Sequence, residues 1–175
     1  MINDFNLLAT TARGNERAMI NEILYLLKEE LKDTDAQASK TKIRGLIVAK
    51  TNLDPLEAIE KLRGILDERP YEFRYSLRIV PIQTVVASDL AEIKSATEKL
   101  AARIGENQSF RVTVEKRFTE LHSRDLIETA AGDIKRKVDL KKPDLILQIE
   151  VLGVLTGISL LKSTDILAVV KEKLL

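Results

Sequence analysis

The sequence predicts a mixed α/β chain of the α+β kind, folded as two units. Three observations predict it. Short apolar runs alternate along the chain with longer stretches of helical periodicity, the pattern of strands and helices in turn. Hydrophobic residues make up 45% of the 175 residues, too many for a disordered chain and enough for packed cores. A fresh helix start at Asp89, with Glu92 three residues on, follows a strand broken at Pro81, so the element order begins again near Ser88.

Each element has its own warrant. Phe5 to Thr11 is short and apolar, is followed by Gly14 and Asn15, and reads as a first strand. Met19, Ile20, Ile23, Leu24, Leu27 and Leu31 recur at helical spacing and predict a helix over residues 16–31. Asp33 to Lys42 is polar and reads as a loop; Ile43 to Ala49 is apolar, β-branched in part, and reads as a second strand. Asp54, Pro55 and Glu57 then form a helix start, with a capping carboxylate, proline at the first position and an acid at the third. Leu56, Ile59, Leu62, Ile65 and Leu66 make that helix's apolar face, and Pro70 stops it. Phe73, Tyr75, Leu77 and Ile79 alternate with Arg74, Ser76 and Arg78, predicting a half-buried strand, and Ile82 to Val86 is expected to continue the sheet at an edge. This order suggests a ferredoxin-like sandwich.

In the second unit Leu90, Ile93, Leu100 and Ile104 supply a helix face that Gly105 ends. Phe110, Val112 and Val114 alternate with Arg111, Thr113 and Glu115 as a strand. Ser123 is expected to cap a helix with Ile127, Ala130, Ala131, Ile134 and Val138 on its apolar face, closed by Lys135-Arg136-Lys137. Leu145 to Val151 reads as a strand, Gly153 as a turn and Leu155 to Leu161 as a return strand, with Ser163 or Thr164 capping a final helix. Domain boundaries are accordingly expected at 1–87 and 88–175, the two packed together.

Charge and composition narrow the chemistry. Lys and Arg total 28 and Asp and Glu 27, a net charge of +1, which excludes a uniformly basic coat protein. With no cysteine and His122 as the one histidine, thiolate metal sites and cysteine nucleophiles are excluded, and a catalytic triad would rest on His122 alone. There is no phosphate-binding loop, dinucleotide fingerprint or nucleophile elbow. Aromatics are 4%, so a broad base-stacking platform is not expected. No apolar run reaches a membrane span and Met1 to Phe5 has no secretory pattern, so a cytoplasmic protein without membrane contact is expected. Basic residues concentrate in one window: nine lie within 111–142 beside six acids. Lys116 and Arg117 end a strand and Arg124 opens the next helix, so these three are candidates to converge on phosphates. Arg74 and Arg78 read as solvated charges, and Arg13-Gly14 as a plain turn.

The run Phe110 to Arg117, then Ser123, Val138-Asp139-Leu140, Pro143-Asp144, Ile149-Glu150 and Gly157-Ile158-Ser159 resembles the THUMP domain, an RNA-binding module of tRNA-modifying enzymes that is usually preceded by a ferredoxin-like domain. The segments Phe5 to Thr10, Gly45 to Lys50 and Arg74 to Ile82 are similar to the stand-alone THUMP proteins that assist tRNA cytidine acetylation. The resemblance implies a non-enzymatic adaptor without cofactor or metal. It would bind tRNA at the acceptor stem and 3′ end, would not bind DNA, and would have a separate RNA cytidine acetyltransferase as partner. On this resemblance the RNA-binding residues are Arg111, Lys116, Arg117, Ser123, Arg124 and Lys137. The competing reading is a ferredoxin-like scaffolding or regulatory protein acting through protein contact.

Overall fold

The computed structural model describes residues 1–174. It divides into two compact units. The first comprises Met1–Ile82 and the segment from Thr164 onward; the second is Gln83–Ser163. The division differs from the expected one at both ends. Thr84–Ala87 pairs with a strand of the second unit, and the C-terminal segment returns to the first.

In the first unit β1 (Leu7–Thr10), α1 (Glu16–Tyr25), β2 (Gln37–Lys40), β3 (Leu46–Lys50), α2 (Pro55–Glu68) and β4 (Arg78–Pro81) follow in order. The C-terminal segment later supplies β10 (Leu167–Ala168) and α5 (Val169–Lys173). The antiparallel sheet runs β10-β4-β1-β3-β2. Its inner order, with one helix after β1 and one after β3, is the split β-α-β-β-α-β arrangement of ferredoxin-like folds. Met19, Ile23 and Leu27 join Ile59, Leu62 and Leu66 over Leu7, Ala9, Ile47 and Ile79 in one core. Asp54 accepts the Glu57 N–H at 3.1 Å and Pro55 opens α2, as its residues predict. The α1 periodicity beyond Tyr25 is carried by a π turn over Leu26–Glu30.

Two expectations fail here for identifiable reasons. The polar run taken for a loop contains β2, which pairs with β3 from Gln37↔Lys50 to Lys40↔Ile47 as an edge strand. The alternating run from Phe73 is not a strand until Arg78. Its backbone N–H groups are already taken, because the buried Glu22 carboxylate on α1 accepts from Arg74 at 2.6 Å, Tyr75 at 3.0 Å and Ser76 at 2.8 Å.

The second unit holds β5 (Thr84–Ala87), α3 (Leu90–Ala101), β6 (Ser109–Arg117), α4 (Ser123–Ala131), β7 (Lys137–Val138), β8 (Leu145–Leu152) and β9 (Leu155–Leu161). Its sheet runs β5-β9-β8-β6-β7; β6 is parallel to both its neighbours, and the β8–β9 and β9–β5 pairs are antiparallel. Ile93 and Leu100 of α3 and Leu126 and Ala130 of α4 pack on Phe110, Leu147, Ile149 and Ile158. The expected face of α4 is rotated. Leu126 is buried, Ile127 is 41% exposed, and Val138 lies in β7 at 55% exposed. The helix ends at Ala131, so Lys135 to Lys137 do not close it and the helix dipole does not account for them. The final helix also starts later than expected: Ser163–Asp165 forms a 3₁₀ turn, and α5 follows β10.

Candidate nucleic-acid interface

Strand β6 lies at the centre of the candidate residues. Phe110, Val112 and Val114 belong to the helix-side core, so Arg111, Thr113 and Arg117 point to the opposite face of the pleat. Lys116 lies on the helix side. The three cations expected to converge are therefore divided between two faces.

On the helix side, exposed Lys116 donates through Nζ to the Leu121 carbonyl at 3.2 Å and so braces the loop into α4. Ser123 does not cap that helix. His122 occupies the cap position without a side-chain bond, and Ser123 is the first helical residue. Arg124 is 86% exposed and donates through Nε to Glu128 at 3.0 Å, one turn on. Such a pair is loose, and its guanidinium is open to a phosphate.

Arg117 has a different task. Its Nη1 lies 2.8 Å from Oε2 of Glu150, which is fully buried, while Gln148 donates to the other carboxylate oxygen at 3.0 Å. A buried carboxylate needs this compensation, so Arg117 is committed to the sheet.

The remaining two candidates are brought together. Parallel pairing sets Lys137 opposite Ser109, on the same face as Arg111 two residues along β6. Arg111 donates through Nη1 to the Leu140 carbonyl at 3.0 Å, while its Nε is buried without a hydrogen-bond partner among the described residues. The loop it braces carries Lys141 and Lys142, both exposed, whose N–H groups are held by Asp139 at 3.0 Å each. Those two bonds, with Lys137 nearby, keep the Asp139 carboxyl below its usual range. The loop therefore has a defined shape, and Arg111, Lys137, Lys141 and Lys142 form a basic rim at the β7 edge.

The sequence reading counted Lys141 and Lys142 in the basic window without placing them in the site, and it did not single out Phe118. Of the four phenylalanines, Phe5, Phe73 and Phe110 are at most 1% exposed, but Phe118 is 71% exposed. Its φ of 52° is in the left-handed region that a bulky side chain rarely adopts. The Gly153 N–H donates to the Arg117 carbonyl at 2.8 Å, so the backbone just before Phe118 is pinned to the β8–β9 turn, where Val154 is 80% exposed. Its only sequence signal is an aromatic directly after the strand's alternation ends. Among the described residues there is no cluster of three or more histidine or acidic groups suited to a metal, and no helix is long and apolar enough to cross a membrane.

Residues 87–161 match the family model of the THUMP domain, and that segment lies within the second unit. In fold the chain is similar to PH1313 from Pyrococcus horikoshii Ot3, with a TM-score of 0.62 and 22% identity over 91% of this chain and 54% of that one. It is also similar to TrmN from Thermus thermophilus, with a TM-score of 0.61 and 18% identity over 90% of this chain and 45% of that one. A third likeness is to a 4-thiouridine synthetase solved with RNA and bound ATP, with a TM-score of 0.51 and 18% identity over 91% of this chain and 42% of that one. These likenesses are of fold, and the chain spans about half the length, or less, of each of these proteins. No curated protein matches the chain in sequence.

Proposed function

We propose that this chain is a non-catalytic tRNA-binding adaptor. It holds tRNA at the acceptor stem and 3′ end and presents it to a separate RNA cytidine acetyltransferase for N4-acetylcytidine formation. The observation that carries the reading is the THUMP match over residues 87–161, the unit that bears the Arg111–Lys142 rim. The similar fold of a 4-thiouridine synthetase solved with RNA supports it.

The chemistry is recognition by shape and charge. Duplex RNA hides its major groove, so phosphates and 2′-hydroxyls are the accessible features. Lys137, Lys141 and Lys142 suit phosphates, and Arg111 sets the loop that carries them. Arg124 and Lys116 form a second group beside the β6–α4 loop. Fixing the tRNA end makes the enzyme's encounter with its base effectively intramolecular, at local concentrations of about millimolar.

The test is a gel shift with total tRNA at rising salt, alongside acetylcytidine analysis of cells lacking the protein. Binding should weaken linearly in log affinity against log salt. Absence of binding at low salt, with or without co-purified partners, would refute the reading. Unchanged acetylcytidine would leave tRNA binding and remove the acetylation role. Acetylation by this chain alone from acetyl-coenzyme A would overturn its non-catalytic character.

A further inference from the structure

One end of the first unit's sheet gathers cations that the reading above does not use. The registers Thr10↔Leu46, Thr10↔Arg78 and Lys40↔Ile47 define that end, where β1 and β2 finish and β3 and β4 begin. Arg13 lies in the β1–α1 loop, Arg17 in the first turn of α1, Lys40 at the last position of β2, and Lys42 and Arg44 in the turn into β3. All five are exposed. None makes an ion pair among the described residues. Elsewhere in the same unit Lys50, Lys61, Arg63 and Arg69 are paired with Asp4, Glu57, Glu172 and Glu30. Across residues 10–17 and 40–47 Glu16 is the one carboxylate, and it is half-buried. Its Oε1 accepts the Gly45 N–H at 2.8 Å, and that bond, with further backbone N–H groups, holds its carboxyl below the ordinary range.

Glu16 thus locks two loops together and, of the five cations, interacts electrostatically with Lys40 without forming an ion pair. The lock is tight. Thr11 N–H donates to the Gly45 carbonyl at 2.9 Å, and Gly45 has a φ of +79°. A Cβ there would lie 2.8 Å from the Thr11 carbonyl oxygen, so only glycine fits. Thr41 Oγ1 donates to the Leu46 carbonyl at 2.9 Å and accepts the Ile43 N–H at 3.0 Å, which fixes the β2–β3 turn. The cations therefore project from a rigid frame, and little backbone entropy is lost when they engage a ligand. No exposed large apolar side chain occurs in residues 10–17 or 40–47, so the surface lacks the apolar centre of a protein interface. Three guanidiniums and two ammoniums without apolar anchors suit phosphodiester oxygens.

We propose that this end of the first unit is a second RNA contact, in which Arg13, Arg17, Lys40, Lys42 and Arg44 engage backbone phosphates. The proposal rests on the tRNA-binding reading and adds to it a surface outside the THUMP segment.

The experiment measures tRNA affinity of the full chain against salt for three proteins: the wild type, Arg13→Gln/Lys42→Gln/Arg44→Gln, and Lys137→Gln/Lys141→Gln/Lys142→Gln. Each lost phosphate contact should reduce the log–log slope by about 0.9. The first variant should therefore lose about 2 to 3 from the slope and about tenfold or more in low-salt affinity. Its melting temperature should be unchanged, and Arg13→Lys/Arg44→Lys should keep the wild-type slope. Unchanged slope and affinity in the first variant, with the second variant impaired, would overturn this proposal alone. A wild type that binds no tRNA would overturn both this proposal and the reading beneath it. Retained tRNA binding with lost binding of polyglutamate would assign the surface to an acidic protein segment and overturn the RNA contact.

Discussion

Lys116 and Arg117 are neighbours in sequence, and the pleat of β6 sends them to opposite faces with opposite consequences. Removing Arg117 leaves Glu150 buried with a charge no longer balanced by that guanidinium. Arg117→Ala should therefore destabilise the chain by about 3–5 kcal/mol, the usual cost of breaking a buried pair from one side. Lys116→Ala and Arg124→Ala remove exposed groups and should each change stability by less than about 0.5 kcal/mol. Urea melts of the three variants check this; an Arg117→Ala midpoint equal to wild type would show the pair to be dispensable. Alternation along β6 was legible in the sequence, and it already implied that adjacent cations diverge. The partner was not legible, because Glu150 lies a whole helix and two strands away and only the parallel β6–β8 register brings it alongside. Phe118 escaped for the opposite reason: its outward position depends on one positive φ, which no side-chain pattern encodes.

At the scale of elements, regular periodicity was legible and competition for backbone groups was not. The apolar stripes of α1, α2 and α3 and the alternation of β6 follow their sequence patterns, because each buries one face against a single core, while β8 and β9 are legible as strands although both their faces are buried. The segment after Phe73 alternates as a strand should, yet Glu22 takes its N–H groups. That carboxylate stands 52 residues from the first of them, beyond the reach of any local pattern. Glu22→Ala should therefore cost at least about 3 kcal/mol, since three backbone donors lose their acceptor together. Glu22→Gln, which keeps one acceptor oxygen, should be intermediate. Strand β2 was hidden because an edge strand with half its surface wet carries little apolar signal. A second element-level contact gives a pH signature. The Arg69 guanidinium, then the Tyr25 hydroxyl, hold the Glu30 carboxyl at about 2 against an ordinary 4.5. A lowered value in the fold means that the stabilisation is fully present above the ordinary value and is lost as pH falls toward the lowered one. The stability gap between wild type and Glu30→Gln should thus be constant from neutral pH to about 5 and close progressively below about 4.5. Thermal melts across that range test it, and a gap that persists at pH ~2 would assign the difference to something other than ionisation.

At the scale of the whole chain, the first unit is discontinuous. The backbone leaves it at Ile82, completes the second unit and returns at Thr164. The returning segment is part of the core. Leu167 and Val169 are at most 1% exposed among the residues that pack beneath α2, and β10 pairs with β4 at Leu167↔Ile79. The Val169 N–H donates to the Leu77 carbonyl at 3.0 Å, Arg63 holds Glu172 at 2.6 Å, and Lys173 donates to the Phe73 carbonyl. Burying two aliphatic side chains contributes about 3–6 kcal/mol, a large share of the about 5–15 kcal/mol by which a domain is stable. Truncation after Lys162 should therefore lower the first unit's melting temperature by more than about 10 °C. The second unit's core contains no residue beyond Leu160, so it should keep its own transition. Hydrogen exchange separates the two outcomes. Amides of β1, β3 and β4 should lose protection in the truncated chain while those of β6 and β8 retain it. Equal loss in both sheets would mean that the units fold as one cooperative body, and no loss would mean that β10 and α5 are dispensable to the first core. Either result would bear on function as well. If the first unit loosens alone, tRNA binding should fall by the share that Arg13, Lys42 and Arg44 supply, and the remaining salt slope should match that of the variant lacking those three charges.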